Sequence, residues 1–156
     1  MPIKANKFES ELIAQFQMLD QMLFGQRGTH SDGVDVLLFR PSPRAGLQPA
    51  GLPPDLLAWR FEVKSSKAET QSLKDTAKMW EQYQGYLRIL KEFGIQTYYA
   101  FRCKSTKVRG EDVAAKWRIW AVDKLPRGRN GVPHLTLKTD KGWTIAKFYE
   151  YNLWGR

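Results

Sequence analysis

Residues 57–64 read LAWRFEVK, and these are the most informative eight residues of the chain. Apolar and polar side chains alternate along them, as they do in a β-strand whose two faces meet different surroundings. The period of two places Glu62 and Lys64 on the same face, roughly 7 Å apart at their Cα atoms. A carboxylate and an ammonium group at one strand end suit a hard-cation site: the carboxylate binds Mg²⁺, and the lysine orients a water molecule or stabilises developing charge.

A second carboxylate lies in the preceding apolar run, residues 34–39, which reads VDVLLF and predicts another strand. Asp35 is its one charged residue, and burying a carboxylate there is costly unless it is paired or binds a cation. Taken alone, Glu62 and Lys64 are also typical of a surface salt bridge, and Asp35 of a charge at a strand edge. Asp32 is a rival for the same role. The combination of Asp35 with Glu62 and Lys64 on successive strands favours a metal site.

The charge of the chain indicates the kind of partner. Its 156 residues carry 25 Lys and Arg against 16 Asp and Glu, a net charge of +9. Residues 101–130 hold nine of the basic residues and three of the acidic ones. Such clustering predicts a polyanion, and nucleic acid is favoured over a membrane because no amphipathic lysine-rich helix is found. The residues assigned to DNA binding are Lys67, Arg102, Lys104, Lys107 and Arg109.

Several classes of protein are excluded by what the sequence lacks. One cysteine, Cys103, allows neither an internal disulfide framework nor a cysteine-based zinc site. The glycines form neither a P-loop nor a dinucleotide fingerprint, so no nucleotide cofactor is expected. The first residues contain no apolar signal sequence, and no apolar run approaches the ~18–20 residues of a membrane span. We therefore expect a soluble, cytoplasmic protein associated with the nucleoid.

The remaining pattern predicts an α/β (α+β) fold in one domain over residues 1–156, with a mixed central sheet flanked by helices. Helices are predicted at 5–23, ended by Gly25 and Gly28, and at 68–93, ended by Gly94. The predicted order is α-β-β-α-β-β, followed by a C-terminal extension, 126–156, that contains a hairpin. Residues 41–54 hold five of the eight prolines and predict an inserted loop. Further strands are predicted at 96–103 and 117–122, and the hairpin strands at 134–138 and 143–149.

These residues resemble a known family. An aspartate on one strand and Glu-x-Lys on the next, after a helix that bears a glutamate, is similar to the PD-(D/E)XK nuclease superfamily, and most of all to the archaeal-type Holliday junction resolvases. The resemblance covers about residues 5–125. It departs from the family in the 41–54 insert and in the absence of a proline before Asp35. The similar segments are FESELI at 8–13, DVLL at 35–38, FEVKSSK at 61–67, EQYQGYL at 81–87 and WAVDKL at 120–125.

The resemblance implies a restriction-endonuclease-like fold and a metal-dependent endodeoxyribonuclease that acts as a homodimer on branched DNA. It places the helical metal-site acid on Glu9, beside Asp35 and Glu62, with Lys64 as the fourth catalytic residue. Gln82 and Ser31 match positions next to the site. Mg²⁺ is the expected cofactor, with Mn²⁺ as a substitute. Two alternatives stay open: a site-specific endonuclease of the restriction or homing type, and a non-catalytic nucleic-acid-binding protein with the same fold.

Overall fold

The structure is a computed structural model that describes residues 7–28, 33–42, 56–105, 112–138 and 141–154. None of the described helices is long and apolar enough to cross a lipid bilayer. The helices and strands are α1 (Lys7–Leu19), β1 (Phe24–Arg27), β2 (Val36–Pro41), β3 (Leu56–Ser66), β4 (Thr70–Ser72), α2 (Ala77–Phe93), β5 (Thr97–Cys103), β6 (Trp117–Ala121), β7 (His134–Thr136) and α3 (Ile145–Phe148). Short 3₁₀ turns at Ala114–Lys116 and Val122–Lys124 flank β6, and a π-helical turn, Tyr149–Leu153, extends α3.

Five strands form the central sheet in the order β1-β2-β3-β5-β6. The β3–β5 pair is parallel, and the other three pairs are antiparallel. The chain passes from β3 to β5 through α2, the kind of crossover that a parallel pair requires. The predicted mixed sheet flanked by helices is confirmed.

The alternation in β3 arises because each face of the sheet is covered by different helices. On one face Phe61 packs with α1 and α3 in a cluster that includes Phe16 and Phe148. On the other face α2 contributes Tyr83 and Tyr86 to a second cluster with β5. The side of β3 that carries Glu62 and Lys64 faces α2, so the charged pair lies between the sheet and this helix.

The predicted helix at 68–93 begins later than its apolar period indicates. Thr76 caps α2 by accepting a hydrogen bond from the Met79 N–H, and this fixes the helix start at Ala77. Residues 70–72 instead form β4, which pairs with β7 in a separate two-stranded sheet. The end was predicted correctly: Gly94 adopts φ 69° and its N–H donates to the Leu90 carbonyl.

The first helix is shorter than predicted, and the strand after it was missed. The Asp20 side chain accepts a hydrogen bond from the Met22 N–H, a local turn that follows the end of α1 at Leu19. Gly25 therefore does not end a helix but lies in β1, which pairs antiparallel with β2. The β2 strand begins two residues later than predicted, and most of the predicted 41–54 loop lies outside the described residues.

The C-terminal hairpin prediction is wrong. Strand β7 pairs with β4, and residues 145–153 are helical. Thr144 caps α3 by accepting from the Lys147 N–H, and Ile145 and Phe148 are buried together at helical spacing. Only Trp143 pairs in the manner of a strand, in an isolated bridge with Ile119 of β6. The Trp143 side chain packs against the cluster around Phe148, whereas Trp154 is largely exposed.

Candidate active site

The predicted site residues are brought together at the end of β3 by three parts of the fold. Strand β3 supplies Glu62 and Lys64, the bend before β2 supplies Asp35, and α2 supplies Gln82. Glu9 lies in the first turn of α1, close enough for the charges of Asp35 and Glu62 to raise its pKa. Ser31 and the rival Asp32 lie outside the described residues.

Asp35 is held against β3 by both its backbone and its side chain. Its N–H donates to the Phe61 carbonyl at 3.1 Å, and its Oδ2 accepts from the Val63 N–H at 2.8 Å. Burial, followed by the neighbouring charge of Glu62, raises the pKa of Asp35 to about 6, against the opposing effects of the Val63 N–H and Lys64. Asp35 thus forms part of a crowded group of carboxylates.

Glu62 is the most deeply buried acid of the site, with 3% of its side chain exposed. Its Oε1 lies 2.9 Å from Lys64 Nζ, and its Oε2 accepts a hydrogen bond from the Tyr86 hydroxyl at 2.6 Å. The same hydroxyl lies 2.7 Å from the carbonyl oxygen of Gly33, just before Asp35. Tyr86 thereby connects Glu62 of β3 to the bend that carries Asp35.

Lys64 is oriented by two partners rather than one. In addition to the Glu62 contact, its Nζ donates to Gln82 Oε1 at 3.1 Å. The lysine side chain is 19% exposed, so part of it remains accessible to a ligand. Gln82 therefore lies on the side of α2 that faces the sheet.

The third acid, Glu9, is only partly buried, yet its pKa is raised to about 7. Burial is the largest cause, followed by the negative charge of Asp35, while Arg27 at the end of β1 acts in the opposite direction and Glu62 adds to the rise. Burial and neighbouring carboxylates raise the pKa values of Glu9 and Asp35, so a cation bound among these two acids and Glu62 would relieve the repulsion.

The donor set fits a hard cation. Asp35 and Glu62 offer carboxylate oxygens, which Mg²⁺ prefers, and Glu9 is within electrostatic range of both. In the described part of the chain, no three acidic, histidine or cysteine side chains already converge at metal-binding distances. The site therefore resembles a two-carboxylate centre with a third acid nearby rather than a closed cage, and Mg²⁺ commonly keeps several of its waters.

Two residues near the site were not singled out from the sequence. Tyr86 lies four positions after Gln82, and this spacing places both side chains on the face of α2 that meets the sheet. Tyr99 is paired with Glu62 in the register of β3 and β5, and its hydroxyl is buried without a partner among the described residues. Burial and the charge of Glu62 raise the pKa of Tyr99 far above its ordinary value, so the hydroxyl stays protonated.

The predicted DNA-binding residues have different surroundings. Lys67 and Lys104 are exposed just beyond the ends of β3 and β5. Arg102 does not belong to the exposed basic surface, because its guanidinium is buried and donates to both carboxylate oxygens of Glu11, each at 3.1 Å. The sequence pattern counted its charge but did not reveal this partner 91 residues away. Lys107 and Arg109 lie outside the described residues.

Comparison with known proteins identifies the fold. No family model matches this sequence, and no curated protein matches it either. Among solved structures, the chain is similar to Hjc, a Holliday junction resolvase from the archaeal hyperthermophile Archaeoglobus fulgidus. The TM-score is 0.55 and the identity 19%, over 94% of this chain and 96% of that chain. The α/β fold of this resolvase, across nearly its whole length, is therefore also the fold of the present chain.

Proposed function

We propose that this protein is a metal-dependent endonuclease that hydrolyses DNA phosphodiesters, with branched four-way junctions as its preferred substrate. The observation that carries the proposal is the meeting of Asp35 and Glu62 beside Lys64 at one end of the sheet. A carboxylate with a raised pKa, as at Asp35, beside a second buried acid and an ordered lysine is expected at a reaction site, whereas an ordinary surface pair lacks the second acid.

In the proposed reaction the residues have separate roles. Asp35 and Glu62 would hold Mg²⁺, or Mn²⁺ in its place, with Glu9 as a third acid. When bound, the metal would supply Lewis-acid chemistry to the scissile phosphate and would lower the pKa of a water molecule. Lys64 lies at the exposed edge of the site, where its ammonium group orients the attacking water and stabilises the charge that develops on the phosphate.

Gln82 and Tyr86 are assigned positioning roles. Gln82 directs the Lys64 ammonium group, and Tyr86 directs one oxygen of Glu62 so that the carboxylate keeps its orientation. Hydrogen bonds from a surrounding shell of side chains are a common means of fixing metal ligands. Both residues belong to α2, so this helix sets the geometry of the acid and the lysine on β3.

The preference for branched DNA is supported by the fold shared with a junction resolvase. Binding to a nucleic-acid backbone is supported by the exposed Lys67 and Lys104 beyond the ends of β3 and β5. A homodimer is part of this proposal, because two paired cuts across a junction need two sites. The test is a substrate panel of four-way junction, flap, splayed arm and plain duplex, each incubated with Mg²⁺ and with EDTA. We expect the four-way junction to be cleaved in Mg²⁺ and not in EDTA. Equal cleavage of a plain duplex at a particular sequence would instead favour a site-specific endonuclease.

Asp35→Asn tests the carboxylate with little change in shape. Its amide oxygen can still accept the hydrogen bond from the Val63 N–H, while the negative charge is removed. It should abolish cleavage and leave junction binding unchanged or tighter, because a carboxylate near the phosphate is gone. Asp123→Asn is the control: Asp123 is an exposed acid that accepts from Gln96 at 3.2 Å. A wild-type protein that binds junctions but cuts none of the panel in Mg²⁺ or Mn²⁺ would instead support the non-catalytic binding protein.

A further inference from the structure

Three cationic side chains surround the ring of Phe8 in the first turn of α1. The charged ends of Lys7, Arg102 and Lys104 lie 5.8, 5.1 and 5.8 Å from the centre of the ring. Each distance falls in the range of cation–π attraction, which is modest at an exposed position. Because like charges repel one another, a gathering of three cations is favourable only where negative charge is also supplied.

The structure supplies negative charge to one of the three. Arg102 is neutralised by its two hydrogen bonds with Glu11, and it is buried. Lys7 and Lys104 are exposed, and within the described residues neither forms an ion pair. Two ammonium groups are therefore held near one ring without a matching anion, which leaves local positive charge for a ligand.

This positive surface adjoins the candidate active site. Phe8 precedes Glu9 in α1, so this positive surface begins in the same helical turn as the third acid. Lys104 follows β5, and its N–H donates to the carbonyl of Ser66, two residues after Lys64 on β3, at 2.7 Å. Lys104 thus lies just past the end of β5, beside the end of the strand that carries Glu62 and Lys64, and Lys7 approaches the same Phe8 ring as Lys104.

We infer that Lys7, Phe8 and Lys104 form a backbone-binding surface for the DNA strand on one side of the cleavage position. This inference rests on the proposed function. The ligand has to carry repeated negative charge and has to extend from a metal site, and a phosphodiester strand meets both conditions. Lysine ammonium groups act as point charges on phosphates, so the surface positions the strand without reading its sequence. Phe8 contributes by holding both ammonium groups close to its ring.

The first test measures junction binding in EDTA, where no cleavage occurs, as a function of salt. Each phosphate contact contributes ~0.9 to the slope of log K against log salt on duplex DNA. The double variant Lys7→Ala/Lys104→Ala should therefore lower the slope by about 1.8. Between 50 and 200 mM salt, the affinity of the double variant should therefore fall by about tenfold less than the affinity of the wild-type protein. Phe8→Leu, which keeps an apolar side chain but no ring, should show a smaller decrease.

Lys147→Ala is the matched control. The Lys147 Nζ lies 5.7 Å from the ring of Tyr151, a contact of the same kind, but on α3. This helix leads into Tyr149, which donates to Asp20 just past the opposite end of α1. The control variant should retain the wild-type slope. If the double variant and Lys147→Ala have the same slope, the inference is overturned.

The second test places neutral methylphosphonates at single positions along each strand next to the branch point of the junction. A substitution at a contacted phosphate should weaken binding to the wild-type protein several-fold and should have no further effect on the double variant. Additive losses at every position would contradict the assigned contact. Failure of the proposed function is distinguishable, because a protein that never cleaves but shows this coupling still binds the strand at Lys7 and Lys104.

Discussion

Variants of Lys64 distinguish a catalytic site from an ordinary ion pair between Lys64 and Glu62. Lys64→Ala removes the charge but leaves the carboxylates, so Mg²⁺ binding should persist while single-turnover cleavage falls by orders of magnitude. Lys64→Arg should be equally slow, because the planar guanidinium is larger and does not release a proton. Single-turnover rates on a four-way junction at saturating enzyme provide the measurement.

The contrary outcome for Lys64 is well defined. If the lysine only pairs with Glu62, either change would lower stability, because the buried carboxylate loses its partner, and would leave the single-turnover rate of the folded protein nearly unchanged. A Lys64→Ala protein within a few-fold of the wild-type rate would remove Lys64 from the mechanism. Junction affinity serves as the internal control, because it should stay close to the wild-type value in both variants.

Removing the hydroxyl groups of Tyr99 and Tyr86 should have opposite effects on the free energy of unfolding. The Tyr99 hydroxyl is buried without a partner among the described residues, and such a group destabilises a protein by about 1–3 kcal/mol. Tyr99→Phe should therefore raise the free energy of unfolding by about 1 kcal/mol. Tyr86→Phe should lower it by a similar amount, because Glu62 loses a hydrogen bond. Urea unfolding of both variants checks the signs, and a destabilised Tyr99→Phe protein would show that this hydroxyl has a partner.

At the scale of secondary-structure elements, the contact between α1 and β1 depends on Gly25. A Cβ atom at this position would lie 2.6 Å from Ile13 Cγ1 and 2.7 Å from Cγ2. The branched Ile13 side chain has few rotamers that avoid the clash. Gly25→Ala should therefore destabilise the protein by about 1–3 kcal/mol. Thermal or urea unfolding measures the loss.

The prediction has an internal control in a second substitution. Ile13→Ala removes the atoms that clash, so Gly25→Ala should be much less destabilising when it is made in the Ile13→Ala background. The two changes should thus be non-additive, as expected for residues in direct contact. Equal losses in both backgrounds would mean that Gly25 is needed for its backbone rather than for the closeness of α1.

For the whole molecule, the crowded acids predict how stability depends on pH. The pKa of Glu9 rises from 4.5 to about 7, and that of Asp35 from 3.8 to about 6. The folded state thus binds more protons than the unfolded state between about pH 4 and pH 7, so this contribution to stability is lost as the pH rises. The Glu9→Gln/Asp35→Asn variant should become more stable relative to the wild type on going from pH 5 to pH 8.

Mg²⁺ should reverse the trend, because it binds the ionised carboxylates. Its effect on the unfolding midpoint of the wild-type protein should be larger at pH 8 than at pH 5, and absent in the double variant. Urea unfolding at both pH values, with and without Mg²⁺, provides the measurement. A pH dependence that is identical in the two proteins would contradict the raised pKa values.

The sequence alone determined the features that depend on local periodicity. The alternation in residues 57–64 indicated β3, and the same period of two placed Glu62 and Lys64 on one face, where their side chains meet at 2.9 Å. Gly94 marked the end of α2, because few other residues adopt a left-handed conformation without strain. The Asp35 charge in an apolar run indicated a buried acid, because such a group needs a specific partner.

Tertiary structure decided the features that depend on distant partners. Whether 145–148 forms a strand or a helix depended on the buried surface that covers Ile145 and Phe148. Three positions apart, they share a face only in a helix, but four residues are too few for the period to be recognised in the sequence. Arg102 looked like a surface base until Glu11, far away in the chain, neutralised it. Tyr86 gained its role only when α2 was placed beside β3, because hydrogen bonds between elements leave no periodic signal in the sequence.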